Sequence, residues 1–374
     1  MTPRLCVVLP TYNERKNLSG MISRIGAALG DIPWEVIVVD DNSPDGTADE
    51  ARAIARDCPN VRVLQRIGRR GLSSAAIEGM CATVAPLVAV MDADHQHDPA
   101  LLPPMLSALE SGDYDVAYAS RFADGASIDA WGRPDRVKVS GIANRIANRV
   151  TGVDLTDPMS GFFMLRAELL RAHAHRLSGI GFKILLDILA TVDTPLRVKE
   201  VPMNFAARAE GESKLDRTVA FEFLVGLYDK WLGHLIPTRF ALFGTVGLAG
   251  AVIHMIVLWL VLGLFGTEFA LGHYPRELSF IVGQTVATFS AMTFNFILNN
   301  ELTYSDKRLR GSGPIIRGWV KFVMSCAIGA LGNIGVSTAL VRVGVHPFSA
   351  ALAGILFSSV WNFALSSRYV WGKY

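Results

Sequence analysis

The sequence lacks the features that mark several common protein classes. Its four cysteines, Cys6, Cys58, Cys81 and Cys326, stand far apart with no paired metal-ligand spacing. We therefore expect reduced packing residues rather than disulfides or metal ligands. The formal net charge is only +2, which is too small to favour nucleic-acid binding. The first apolar run has five residues and is too short for a signal peptide, so we expect the N-terminal domain to stay in the cytoplasm.

What the sequence does have is an excess of apolar residues, and this excess is unevenly distributed. Hydrophobic residues make up 51% of the 374-residue chain, which is long enough for two or three domains. Up to about Pro237 the sequence is mixed and charged, whereas long apolar runs with few ionisable residues follow. We predict a soluble domain over residues 1–216, an interfacial linker over residues 217–237 and a transmembrane domain over residues 238–374.

The first half alternates short β-branched apolar runs with segments of helical periodicity. Continuous apolar strands separated by helices are typical of a parallel sheet that is covered on both faces. We therefore predict an α/β domain with a mostly parallel, Rossmann-like sheet. The predicted strands are Leu5–Leu9, Trp34–Val39, Val61–Gln65, Leu87–Met91 and Val116–Ala119, and the predicted helices are Asn17–Gly30, Thr47–Asp57 and Leu72–Thr83.

Polar motifs follow three of these strands. PTYNE follows the first strand, DDNSPDGT the second and DADHQHD the fourth. Ligands of such sheets collect at the carboxyl ends of the strands, so the motifs predict one site along a single sheet edge. Tyr12 offers a surface for base stacking, and the carboxylates of the second motif can bind a base or ribose. Capping of the following helix by Asp45 or Thr47 is an alternative role for that motif.

Asp92, Asp94 and Gln96 form the strongest single signal. Two carboxylates two residues apart, followed by an amide oxygen, provide hard ligands that suit Mg²⁺ or Mn²⁺. Such an ion would neutralise and orient a diphosphate leaving group. His95 and His97 suit Mg²⁺ less well, and we interpret both as loop or supporting residues.

Four apolar segments in the second half each approach the roughly 20 residues that are needed to cross a bilayer. The loop Ser305–Arg317 carries four basic residues, whereas Gly266–Glu277 carries one arginine and two glutamates. The positive-inside rule then places the basic loop, the catalytic domain and both termini in the cytoplasm. A buried helical domain is the alternative interpretation. The predicted spans are Phe240–Phe265, Leu278–Leu298, Trp319–Val341 and Phe348–Tyr369.

The four spans also contain a weak internal repeat, which indicates two related helix hairpins packed through small residues. The matched positions are Phe240 with Phe322, Gly247 with Gly329, Gly250 with Gly332, and Phe294 with Trp361. Two further segments, Phe221–Leu235 and Val137–Val150, have the composition of helices at a membrane surface. The second of them suits an ordinary helix packed on the sheet equally well.

Seven separated motifs occur in an order that resembles dolichyl-phosphate mannose synthases, which are inverting glycosyltransferases of GT-A fold. The resemblance covers roughly residues 4–216, and the remaining residues resemble, more loosely, four-span GtrA-like membrane domains. The motifs are PTYNE, VVDDNSPDGT, DADHQHDP, the Ser120-Arg121 pair, DPMSGFFMLR, GFKILLD and RAEGESKL.

The resemblance implies a role for each matching residue. Asp187 matches an acidic position that is usually Glu in the family, which leaves a direct contact with the donor sugar open there. The implied assignments are nucleotide contact for Pro10, Tyr12, Glu14 and Asp41; metal and donor diphosphate for Asp92, Asp94 and Gln96, with Asp94 also catalytic; acceptor phosphate for Arg121, Arg136 and Ser140; and donor phosphates for Arg208, Ser213 and Lys214.

The reaction that the resemblance implies is inverting transfer of mannose from GDP-mannose to dolichyl or another polyprenyl phosphate. Transfer of glucose from UDP-glucose to the same acceptor is the alternative within this class. A lipid transporter with a degenerate cytoplasmic domain is a rival from another class, but the intact Asp92, Asp94 and Arg121 argue against degeneracy. A processive polysaccharide synthase would need a Q-x-x-R-W-type segment that is missing here. We expect the spans to anchor the enzyme in the bilayer, with oligomer packing or lipid flipping as further roles.

Overall fold

The computed structural model describes residues 2–123, 148, 153, 155–179, 183–204, 225, 228, 235–269 and 276–372. The chain divides into two units, Met1–His234 and Leu235–Tyr374. Most of the predicted interfacial linker 217–237 and of the segment Val137–Val150 lies outside the described residues.

The N-terminal unit contains all of the strands and helices that the sequence predicts, with ends that agree within two residues. Its described residues also form two strands and three α-helices that were not predicted. The strands are β1 Leu5–Thr11, β2 Trp34–Asp40, β3 Val61–Gln65, β4 Leu87–Val90, β5 Val116–Ser120, β6 Phe163–Arg166 and β7 Val198–Pro202. The helices are α1 Arg15–Leu29, α2 Thr47–Asp57, α3 Leu72–Cys81, α4 Leu102–Glu110, α5 Ala167–His173 and α6 Ile184–Thr191.

The seven strands form one sheet in the order β3-β2-β1-β4-β6-β5-β7. The pairs β1–β2, β1–β4, β2–β3 and β5–β7 are parallel, which confirms the mostly parallel sheet. The unpredicted β6 runs antiparallel between β4 and β5. As a consequence, the chain enters β6 at the same edge of the sheet at which β4 and β5 end.

Both faces of the sheet are covered, as the apolar strands predict. Leu5, Val7 and Leu9 of β1 pack on the face that carries α1 and α4, whereas Cys6 and Val8 pack on the face that carries α3 and α6. Successive side chains of a strand point to opposite faces. Because every residue of β1 is buried, the strand reads as a continuous apolar run rather than an alternating one.

The C-terminal unit contains four long helices, in agreement with the four predicted spans. Two of them, over Thr238–Gly263 and Ser312–Arg342, have by themselves the length and hydropathy to cross a membrane. Many large apolar side chains on these helices are exposed, including Trp259 and Leu331. The helices are α7 Thr238–Phe269, α8 Arg276–Leu298, α9 Ser312–Arg342 and α10 Pro347–Leu365.

The structure confirms the predicted match between the segments that begin at Phe294 and Trp361. It shifts the predicted match between the segments that begin at Phe240 and Phe322. Asn295 of α8 packs against Gly250 of α7, and Asn362 of α10 packs against Gly329 of α9, each so closely that an added Cβ would lie 2.1 Å from the asparagine Oδ1. The equivalent glycines are therefore Gly250 and Gly329. The sequence match had paired Gly329 with Gly247, three residues away, because many apolar residues align by chance.

The two hairpins meet at an aromatic cluster. Each hairpin ends in a five-residue π-helical segment, Asn299–Thr303 after α8 and Ser366–Val370 after α10. Tyr304 and Trp371 follow these segments and stack with ring centroids 4.2 Å apart. The indole Nε1 of Trp371 also donates to Asn300 Oδ1 over 3.0 Å. Because π-helical turns are rare, their presence in both hairpins supports the repeat.

We predict that Gly354→Ala destabilises the contact between α9 and α10. A Cβ at Gly354 would lie 2.1 Å from Asn333 Oδ1 and 2.8 Å from the Asn333 carbonyl oxygen. Forcing such a contact costs about 1–3 kcal/mol, which would lower the thermal unfolding temperature of the full chain in detergent. Gly335→Ala on α9 is the matched control, since nothing lies within 4 Å of its Cβ position. Equal unfolding temperatures for the two variants would contradict the close packing.

Candidate active site

The loops that follow β1 and β2 are fastened to each other. Three consecutive backbone N–H groups of the first loop donate to side chains of the second. The pairs are Asn13 N with Ser43 Oγ at 3.0 Å, Glu14 N with Thr47 Oγ1 at 3.0 Å and Arg15 N with Asp45 Oδ2 at 3.2 Å. The PTYNE and DDNSPDGT motifs therefore form one surface, as their positions at neighbouring strand ends predict.

Asp45 is the centre of this junction. Its Oδ1 accepts from the backbone N–H of Thr47, the first residue of α2, over 3.0 Å, and from the Thr47 hydroxyl over 2.6 Å. Partial burial acts to raise the pKa of Asp45, but the hydrogen bonds from Thr47 and Arg15 outweigh it and lower that pKa below its ordinary value. Asp45 thus combines the predicted capping role with fastening of the two loops.

Backbone strain concentrates at the same sheet edge. Among the described residues, the non-glycine residues with positive φ are Asn13 at 62°, Asn42 at 56° and His95 at 64°. They follow β1, β2 and β4, which lie side by side in the sheet or one strand apart. Strained backbone persists where the surrounding structure holds it, and it clusters at binding and catalytic sites.

Asp41 is buried and fixes a third loop, which follows β3. Its Oδ1 lies 2.8 Å from Arg66 Nη1, and its Oδ2 accepts from the backbone N–H of Gly71 over 2.7 Å. Arg66 is itself buried and also donates to Ser74 Oγ over 2.6 Å. Burial raises the pKa of Asp41, and the Gly71 N–H and the Arg66 guanidinium oppose that rise. The geometry gives Asp41 the role of holding the loop from Arg66 to Gly71.

That loop places a second arginine on the predicted nucleotide surface. The guanidinium of Arg70 lies over the Tyr12 ring, 4.4 Å from its centroid, and Nη1 donates to the Tyr12 hydroxyl over 2.9 Å. Sequence reasoning missed Arg66 and Arg70. The available signal was the run RIGRRG directly after a predicted strand, at the sheet edge where the other motifs lie.

Pro10 and Glu14 flank Tyr12 at this surface. Pro10 is buried near the end of β1, beside Val39 of β2. Glu14 is half-buried, and its Oε2 accepts from Asn17 Nδ2 over 2.7 Å. Both predicted residues therefore lie in the first loop region, next to the bonds that fasten it to the second.

The acidic motif follows β4 at the same edge. Asp92 is partly exposed, whereas Asp94 is buried and its Oδ1 accepts from the backbone N–H of Gln96 over 3.1 Å. An added Cβ at Gly161 would lie 3.5 Å from Asp92 Oδ2, so this glycine keeps the space beside the carboxylate open. Within the described part of the chain, no group of three or more His, Cys, Asp or Glu side chains is arranged to hold a metal ion. A metal here would need oxygen ligands from Gln96 and from a substrate as well.

The two histidines of this motif support the loop in different ways. The backbone N–H of Asp92 donates to His97 Nδ1 over 3.0 Å, so the neutral ring carries its proton on Nε2, which faces Asp92 Oδ2 at 3.8 Å. His97 is buried and stacks on Phe162. His95 instead packs over Gly20 of α1, with Nδ1 3.2 Å from Arg24 Nη1.

Arg121 follows β5 and forms a bidentate ion pair with Asp157. Its Nε lies 2.6 Å from Asp157 Oδ2 and its Nη2 lies 2.8 Å from Asp157 Oδ1. Asp157 is completely buried. It belongs to the segment before β6, which the antiparallel direction of that strand brings to the active edge. The DPMSGFFMLR motif marks this segment in the sequence, but Asp157 is not among the predicted site residues.

Asp187 lies on α6, and its carboxylate accepts hydrogen bonds from the loop that precedes this helix. Its Oδ2 accepts from the backbone N–H and the hydroxyl of Ser178, each over 2.9 Å, and from the Gly179 N–H over 3.3 Å. These contacts fix the loop before α6 next to α3, since a Cβ at Gly179 would lie 3.6 Å from Ser74 Cβ. Five predicted site residues lie outside the described residues: Arg136, Ser140, Arg208, Ser213 and Lys214.

Comparison with known proteins identifies the family. Residues 6–173 match Glycosyl transferase family 2, and residues 242–371 match the GtrA/DPMS transmembrane domain. The dolichol-phosphate mannosyltransferase of Pyrococcus furiosus is 36% identical over 372 residues, which cover 98% of this chain and 99% of that relative. The chain belongs to the dolichol-phosphate mannosyltransferase family. It is therefore a glycosyltransferase, and its C-terminal unit makes it a membrane protein.

Other relatives match the enzyme over a shorter length. The dolichol-phosphate mannosyltransferase of Saccharomyces cerevisiae is 35% identical and covers 62% of this chain and 88% of its own. The undecaprenyl-phosphate mannosyltransferase of Micrococcus luteus is 34% identical and covers 62% of this chain and 97% of its own. Among solved structures, glucosyl-3-phosphoglycerate synthase from Mycobacterium tuberculosis is similar with a TM-score of 0.46 and 22% identity, over 61% of this chain and 80% of that chain.

We predict that Asp41→Asn strongly destabilises the soluble domain. An amide has no negative charge and a single oxygen, so it cannot replace the two carboxylate oxygens that face Arg66 and Gly71, and the buried guanidinium loses the charge that compensates it. Breaking a buried ion pair costs about 3–5 kcal/mol of unfolding free energy. We expect a loss near the lower end of this range, because Glu78 still lies 3.3 Å from Arg66 Nε. Thermal unfolding of the full chain in detergent measures the effect.

The matched control is Asp49→Asn, which breaks an exposed pair with Arg52. Such surface pairs contribute about 0–1 kcal/mol. If Asp41→Asn unfolds at the same temperature as this control, then Asp41 does not hold the loop after β3.

Proposed function

We propose that the enzyme transfers mannose from GDP-mannose to a polyprenyl phosphate, with inversion at the anomeric carbon. The observation that carries the proposal is the meeting of three features at one sheet edge. These are the fastened loops after β1, β2 and β3, the acidic motif after β4 and the arginine after β5. The relatives, a dolichol-phosphate mannosyltransferase and an undecaprenyl-phosphate mannosyltransferase, favour mannose and a polyprenyl acceptor.

The nucleotide part of the donor would lie on the surface of the first three loops. Tyr12 and Arg70 present an aromatic face and a guanidinium, groups that stack on a base and bind phosphate or carbonyl oxygens. Glu14 adds a carboxylate beside them. Asp41 would act through the loop that it holds, because both of its oxygens are engaged by Arg66 and Gly71.

The donor diphosphate would lie at the acidic motif, where Asp92, Asp94 and Gln96 would hold Mg²⁺ or Mn²⁺. The fit rests on the donor set and on the space that Gly161 leaves beside Asp92. Mg²⁺ is commonly held by one or two protein carboxylates together with substrate phosphates, which agrees with the small number of acidic groups here. When bound, the ion supplies charge neutralisation of the nucleoside diphosphate leaving group. By family resemblance, Arg208, Ser213 and Lys214 would steady the same phosphates.

The acceptor would be bound by Arg121, together with Arg136 and Ser140 by family resemblance. A phosphate monoester has a second pKa near ~6, so at neutral pH its dianion is already a good nucleophile. The protein then needs no general base. Its residues have to place the phosphate oxygen in line with the anomeric carbon and exclude water. Attack from the face opposite the leaving group gives inversion, and an α-linked donor yields a β-linked lipid phosphate sugar.

The membrane unit would anchor the enzyme next to its lipid acceptor. The segment from the end of α8 to the first turns of α9 carries Lys307, Arg308, Arg310 and Arg317, which by the positive-inside rule favours the cytoplasmic side for this segment. Both termini and the catalytic unit would then lie in the cytoplasm, where nucleotide sugars are available.

The proposal is tested by transfer in membranes that contain the full chain and polyprenyl phosphate. Radiolabelled GDP-mannose and UDP-glucose are compared, each with and without EDTA. We expect label in the lipid from GDP-mannose only, and loss of that label with EDTA. Label from UDP-glucose instead would overturn the donor, and EDTA-resistant transfer would overturn the metal.

We predict that Asp92→Asn lowers transfer by at least about 100-fold, because it removes a ligand that compensates the leaving-group charge. The matched control is Asp98→Asn in the same motif, whose carboxylate pairs with Arg24 on the surface. That variant should keep its rate within about twofold. Equal rates for the two variants, with equal membrane insertion, would rule out a metal role for Asp92.

A further inference from the structure

The pair of Arg121 and Asp157 is one of two buried acid–arginine pairs among the described residues of this domain, the other being Arg66 with Asp41. Asp157 is 0% exposed and the Arg121 side chain is 15% exposed. The domain has two other bidentate pairs among its described residues, Arg176 with Asp193 and Arg197 with Asp115, and their arginines are 43% and 57% exposed. Burying two charges carries a desolvation penalty that surface pairs avoid. At that cost, the bidentate pairing fixes the orientation of the Arg121 guanidinium.

The segment that carries Asp157 is fixed from several sides. The Ser160 hydroxyl donates to the Ala119 carbonyl over 2.6 Å, at the end of β5. The hydroxyls of Ser120 and Thr156 lie 2.5 Å apart, and Thr156 also donates to Glu200 of β7. Asp157 is therefore a rigid acceptor that is held by two strands, and Arg121 is the longer and more flexible partner.

A guanidinium is planar, so fixing one of its edges fixes the direction of the other. Asp157 takes the edge formed by Nε and Nη2. The remaining N–H bonds point away from Asp157 in the same plane. Oxyanions are recognised by such a guanidinium edge, and the geometry of the contact determines its strength.

We propose that Asp157 is a positioning residue for the acceptor phosphate. It holds one edge of the Arg121 guanidinium, so that the opposite edge faces the position of the phosphate during transfer. This inference rests on the proposed function, in which Arg121 binds that phosphate. It assigns the orientation of the acceptor-binding guanidinium to the segment before β6.

The test compares Asp157→Glu and Asp157→Asn with the wild-type full chain in the transfer assay. Asp157→Glu keeps the charge but displaces the guanidinium by about the length of one methylene. A displacement of about 1 Å can cost roughly 100-fold in rate. We expect kcat/KM for polyprenyl phosphate to fall by about 10- to 100-fold in both variants, while KM for the sugar donor stays within about twofold.

Two controls separate positioning from folding. Asp193→Asn removes the acid of the exposed pair with Arg176, and we expect it to leave both kinetic constants unchanged. The second control is the same Asp157→Asn change made in an Arg121→Ala background. If Asp157 acts through Arg121, it should then change acceptor kcat/KM by less than about twofold. Asp157→Glu keeps the test decisive if Asp157→Asn yields no folded protein.

Each outcome is informative. If the wild-type enzyme labels no lipid, the proposed function fails and this inference fails with it. If the wild type labels lipid but Asp157→Glu leaves the acceptor constants unchanged, only the inference is overturned. If KM for the sugar donor rises as much as KM for polyprenyl phosphate, and the unfolding temperature falls, then Asp157 has a structural role and the inference is also overturned.

Discussion

Backbone hydrogen bonds between parallel strands hold the ends of β1, β2 and β3 in one row, with β4 ending beside Val8 of β1, and the site depends on this constraint. The register sets Thr11 beside Asp40 and Asp40 beside Gln65. The loops that begin one residue later therefore start a strand spacing apart, about 4.8 Å. Motifs that are separated by tens of residues in the chain become neighbours for this reason.

The antiparallel strand β6 extends the same edge to the acceptor side. If the chain entered β6 parallel to β4, Asp157 would lie at the far end of the sheet. The observed direction pairs Val90 with Phe163, so the segment before β6 meets both the acidic motif and Arg121. Two buried acid–arginine pairs then stand on either side of the acidic motif, Asp41 with Arg66 and Asp157 with Arg121. The first pair fixes the loop after β3 and the second fixes the Arg121 guanidinium. Because both are ordered before any substrate binds, less conformational entropy is lost on binding.

The sequence was a good guide to the parts that depend on local pattern. Apolar runs and helical periodicity located β1 to β5, the first three helices and the four long helices of the second unit. The polar motifs after β1, β2 and β4 were expected at one edge, and the bonds from Asn13 to Ser43 and from Arg15 to Asp45 confirm this for the first two. The family was also predicted from motif order, and the membrane unit from its long apolar segments.

The parts that were missed depend on contacts between distant residues. Nothing in the four residues of β6 indicates its direction, so the place of Asp157 could not be derived. Arg66 reads as an ordinary charged residue after β3, and only the fold shows that it is buried against Asp41. The register of the membrane repeat failed in the same way, since Gly247 and Gly250 differ only in what packs against them. The roles of the individual site residues remain predictions.

The central claim is that one edge of the sheet forms the donor site, and hydrogen exchange tests it most directly. Exchange is measured by mass spectrometry on the full chain in detergent, with and without GDP and Mn²⁺. We expect slower exchange after nucleotide binding in residues 12–17, 42–47, 66–71 and 92–97. We expect no change at the opposite edge, in residues 30–33 and 111–115. Slower exchange at the opposite edge, or unchanged exchange in residues 66–71, would contradict the placement of the donor site at this edge of the sheet.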